Sequence, residues 1–184
     1  MCLGAPAFAI DAEPHEALDM AGANHGQRLR HAVGVFHQVV RLRTGLDDLI
    51  AAGIEREALC LAGQQTLMET LRQAEPTAGG GQAFFALSAE MVLVDGGGQR
   101  VPVQLSSGER CASLLATLDR SATPGDPWLG RWLIPRHART LEAHLVAGRY
   151  LLWVHIRDAD DEKRVCTILL RHSEFPVQVH DLAL

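Results

Sequence analysis

The chain has no close pair of cysteines, no long apolar run and no surplus of basic residues, and each absence removes a class of function. Its four cysteines, Cys2, Cys60, Cys111 and Cys166, are widely separated, so no C-x-x-C knuckle for zinc or dithiol chemistry can form. They are expected to be reduced thiols that pack as small apolar groups. The longest apolar stretch, residues 83–94, is interrupted by Ser88 and Glu90 and falls short of the roughly 20 residues that span a bilayer. Seventeen Lys and Arg are scattered among 22 Asp and Glu, giving a net charge of −5. That balance cannot build the concentrated cationic surface that phosphate backbones require, so no nucleic-acid partner is expected. The apolar start, residues 1–10, lacks the basic flank of a secretory signal, and a cytoplasmic location is expected.

What is present suffices for one core: 184 residues, of which 47% are hydrophobic. Residues 1–29 mix Ala, Gly, Pro, Asp, Glu and His without periodicity, which predicts a disordered tail ahead of a single α+β domain over 30–184. His31–Phe36 is predicted as a first strand. Val39, Leu42, Leu46, Leu49 and Ile50 recur at helical spacing up to a stop at Gly53, and Ala58–Ala62 forms a second strand. The C-terminal part repeats the pattern with a helix in front. Pro135 opens that helix, Leu141, Leu145 and Val146 line it, and Gly148 closes it. Tyr150–Ile156 is the plainest strand in the chain. The acidic run Asp158–Glu162 suits the positive end of a helix reaching about His172, and Val177–His180 is the last strand. Between these halves, an inserted segment 64–130 is expected to hold a helix over Gln64–Ala74 and a hairpin of Glu90–Val94 and Arg100–Leu105 around Asp95–Gly98. A capping box, Ser106 with Glu109, is expected to open a helix through Leu118.

Two β-α-β units of this kind combine into a split, ferredoxin-like antiparallel sheet with its helices on one face. Val33–Phe36 with Leu46–Ile54, and Arg139 through Asp181, resemble the small bacterial general-stress and heat-induced stress proteins, over roughly half the chain. The resemblance implies the same α+β fold and a stress-related role, and it supplies no catalytic residues to carry over. Relatives commonly hold a Gly/Ala-rich apolar hairpin in the middle, where this chain places a charged hairpin.

Strand alternation sets Leu152, Val154 and Ile156 on one side and Trp153 and His155 on the other, while Val177 and Val179 oppose Gln178 and His180. Trp153, His155, Gln178 and His180 are therefore expected to share the sheet face that the helices leave open. That face is the candidate site, for self-association or a protein partner in a non-catalytic accessory module. The alternative is a small-molecule sensor or enzyme whose pocket lies between the sheet and the middle segment. Nine histidines raise the question of a metal, but no H-x-x-x-H or Cys/His cluster occurs. His137 and His144 lie two helical turns apart, too far for chelation, and no metal or other cofactor is expected. His31 is expected to be solvated, with His15 and His25. Gly96–Gly98 lacks the Lys-Ser/Thr of a phosphate loop and is expected to be a turn.

Overall fold

The computed structural model describes residues 28–73, 87–107, 129 and 135–183. Within them, six strands form one antiparallel sheet: β1 (Arg28–Phe36), β2 (Leu59–Gln64), β3 (Leu87–Val94), β4 (Arg100–Ser107), β5 (Tyr150–Ile156) and β6 (Gln178–Ala183). Four helices accompany it: α1 (Val39–Ala51), α2 (Gln65–Gln73), α3 (Pro135–Val146) and α4 (Ala159–His172). The strand order is β3-β4-β2-β5-β1-β6.

Local signals explain the elements. Both α1 and α3 end in the same capping motif, with a glycine in the left-handed region (Gly53 at φ 85°, Gly148 at φ 72°). In each, two backbone N–H groups turn back onto the last turn: Gly53 to Ile50 and Ile54 to Leu49, then Gly148 to Leu145 and Arg149 to His144. The start of α4 is capped by Asp158, whose carboxylate accepts from the Asp161 N–H at 2.7 Å. The predicted glycine turn joins β3 to β4. Asp95 Oδ1 accepts from the Gly97 and Gln99 N–H groups, and Gly98 takes φ 82°.

Alternation along the strands feeds two cores, one on each side of the sheet. Ala32, Phe36, Leu59, Leu61, Leu152 and Val154 pack under α1, α2 and α4. Val33, Val35, Cys60, Ala62, Leu151 and Trp153 point the other way and meet Ala138, Leu141 and Leu145 of α3. Tyr150 reaches out of the first core so that its hydroxyl donates to the Leu67 carbonyl at 3.1 Å.

Three expectations are corrected here. The helices are not confined to one face, because α3 lies across the other. The middle segment extends the sheet, since β4 pairs with β2 and carries β3 beyond it. Ser106 does not cap a helix: it lies in β4 opposite Leu61, fully buried. The helix expected after it falls on residues 108–118, outside the described residues, as does the predicted tail up to residue 27; the last two residues of that predicted tail, Arg28 and Leu29, instead open β1. Pro102 sits in β4 opposite Val92 but beyond the last pair with β2, where its missing N–H costs no ladder bond to that strand.

Candidate functional site

Backbone register gathers the four predicted site residues. Across β5, β1 and β6, His155, His31 and His180 stand in one row, and Trp153, Val33 and Gln178 form the next row. All face α3. The four residues share one side of the sheet, but that side is not open: Trp153 is only 5% exposed and belongs to the core beneath α3.

Two histidines that were not predicted complete the group. His31, expected in solvent, is 3% exposed at the centre of the row, with its ring centroid 5.1 Å from that of His155. His137, from the first turn of α3, stands 5.3 Å from His180. Both were legible in principle. His31 is in phase with Val33 and Val35, and His137 is one turn from Leu141 on the stripe that α3 buries.

The electrostatics favour the neutral form of His180. His180 is 7% exposed, and burial pushes its imidazole below the ordinary value, with His137 and His31 pushing the same way. The carbonyl of Gln178 accepts from His180 Nε2 at 3.1 Å, leaving Nδ1 as the acceptor nitrogen of the neutral ring. Nδ1 of both His31 and His137 is buried without a hydrogen-bond partner among the described residues. Among those residues, no three potential ligands converge as a metal would require. His155 also borders a narrow crevice with Ile54, Glu55, Ala58, Arg157 and Asp161.

The segment Ser173–Phe175, within the second stretch that carries the family resemblance, does structural work. Its serine Oγ accepts from the Val35 N–H at 3.1 Å and lies 2.9 Å from the Val35 carbonyl and 2.7 Å from that of Phe175. Glu174 supplies the cap that Gln38 does not, accepting from the His37 and Gln38 N–H groups ahead of α1. Phe175 lies 4.2 Å under the Arg149 guanidinium. Replacing Ser173 with alanine leaves the Val35 N–H half-buried and unpaired, at an expected cost of about 1–2 kcal/mol. A urea midpoint equal to that of the unmodified protein would show that the serine does not clamp β1.

Comparison with family models, curated proteins and solved structures returns no match for this chain.

Proposed function

We propose that the protein is a non-catalytic, stress-related accessory module of the cytoplasm that works by self-association, and that the associating surface is the free edge of β3. The role in stress rests on the sequence resemblance, and the free thiols of Cys60 and Cys166 are in keeping with a reducing compartment such as the cytoplasm. The same reading takes β6-β1-β5-β2, with α1 and α4 packed together on one side, as a ferredoxin-like unit extended by the β3-β4 hairpin.

One observation carries the choice of surface. On β3, Val92 and Val94 are 57% and 64% exposed, on a strand whose outer edge pairs with no described strand. Edge strands ordinarily carry charge or proline against just such pairing, and β3 sets only Glu90 beside these valines on that side. An antiparallel two-fold pairing about Leu93 would place Val92 of each copy opposite Val94 of the other, continuing the sheet through the dimer. The face under α3, by contrast, is already covered by the chain itself.

Sedimentation velocity on the full chain tests the reading. The unmodified protein is expected to sediment as a dimer. The Val92→Lys/Val94→Lys double variant, whose new charges face solvent, is expected to be a monomer with unchanged circular dichroism. A monomeric unmodified protein, or the same mass for both, would refute the edge.

A further inference from the structure

The four imidazoles at the seam between α3 and the sheet have no part in the edge just described. We propose that His31, His137, His155 and His180 form a proton-operated latch: neutral, they let α3 close on the sheet, and proton uptake at mildly acidic pH releases it.

Geometry carries the argument. The rings come from four elements, β1, α3, β5 and β6, and meet in two pairs at 5.1 and 5.3 Å between centroids, with His31 opposite both His155 and His180 in the sheet register. Charging one member of such a group opposes charging the next, because like charges at this separation repel strongly where water is excluded. His31 makes the arrangement intolerant, since a proton on its buried Nδ1 would be a donor with no acceptor among the described residues. His137 adds a second penalty: it lies in the first turn of α3, where the helix dipole disfavours a cation.

From α3 come Arg136 and Arg139, both exposed and both positive. From the turn before β2 and the start of α4 come Glu55 and Asp161, which border His155 but are engaged with Arg157 at 3.6 and 2.6 Å. On β6, Asp181 points to the opposite side of the sheet, 3.6 Å from Arg30. The sheet residues are tied by strand pairing on either side of β1, whereas α3 is held to them through side chains, so α3 is the element that yields.

The sign follows from His180. Burial holds its folded-state value below that of the unfolded chain, so at pH values under about 6.5 the open form binds more protons and the closed form loses ground as pH falls. Hydrogen exchange on the full chain, corrected for intrinsic rates, tests the latch at pH about 7.5 and about 5.5. Protection of the amides of residues 139–146 is expected to fall about tenfold or more at the lower pH while that of residues 150–156 falls much less. The His137→Gln/His180→Gln variant is expected to lose this difference. Should that variant not fold, His137→Gln alone, at a half-buried position near a helix end, gives the same comparison. Equal α3 protection at both pH values in the unmodified protein, or an undiminished pH response in the folded variant, overturns the proposal.

Discussion

Trp153→Ala is expected to destabilise the protein by about 3–5 kcal/mol, the range for removing a large buried aromatic from a packed core. The indole lies opposite Val33 on β1 and Cys60 on β2 and belongs to the cluster formed with Leu141 and Leu145 of α3, at 5% exposure. A tryptophan waiting on a free docking face would cost little when truncated, because surface substitutions usually change stability by about 0.5 kcal/mol or less. Chemical denaturation therefore separates the two situations by several-fold. A loss below about 1 kcal/mol would mean that α3 does not cover the strand.

Asp161 is the second position where a single change is expected to be severe. Its side chain is 1% exposed, and the carboxylate takes a hydrogen bond from Arg157 Nε at 2.6 Å and another from Arg164. Arg164 also donates to the Ala52 carbonyl at 3.3 Å, and Arg157 lies 3.6 Å from Glu55, so one buried anion joins the end of β5, the start of α4 and the C-terminus of α1. The Arg157 hydrogen bond, opposed by burial and aided by Arg164, holds the carboxyl at about 2 instead of 3.8. A depression of that size corresponds to roughly 2.5 kcal/mol in favour of the folded anion. Both arginines are partly exposed and can rehydrate, so Asp161→Asn is expected to cost about 2–3 kcal/mol, less than breaking a fully buried pair. The contribution is fully present above the unfolded carboxyl value and is lost as pH falls toward the folded one. The difference between the unmodified protein and Asp161→Asn should accordingly shrink between pH about 4 and about 2, and a difference that stays constant there would place the stabilisation elsewhere.

Local structure was legible in the sequence wherever one residue carries the signal. Tyr150–Ile156 and the helix capped by Asp158 have the expected bounds, the glycine stops at Gly53 and Gly148 are in place, and alternation set Trp153, His155, Gln178 and His180 on one side. The joining of β4 to β2 was not foreseen, because backbone bonds between strands distant in sequence select no particular residues. A weaker signal existed: Leu59–Ala62 and Leu151–Val154 are apolar on both alternations, which marks strands covered on both faces. Reading β5 by alternation alone turned a doubly covered strand into one with an open side. Its place beside the predicted tail left His31 in solvent, although its phase with Val33 and Val35 pointed inward.

Placement of α3 over the imidazole row underlies the latch, the burial of Trp153 and the choice of β3 as the associating edge. Nuclear Overhauser contacts between the ring protons of His137 and His180 at neutral pH report on it directly, since the two ring centroids lie 5.3 Å apart. Cross-peaks between these rings, together with contacts from Leu141 and Leu145 methyl groups to the Trp153 indole, are the expected result. Their absence in a folded sample, with the indole in contact with solvent, would contradict the arrangement.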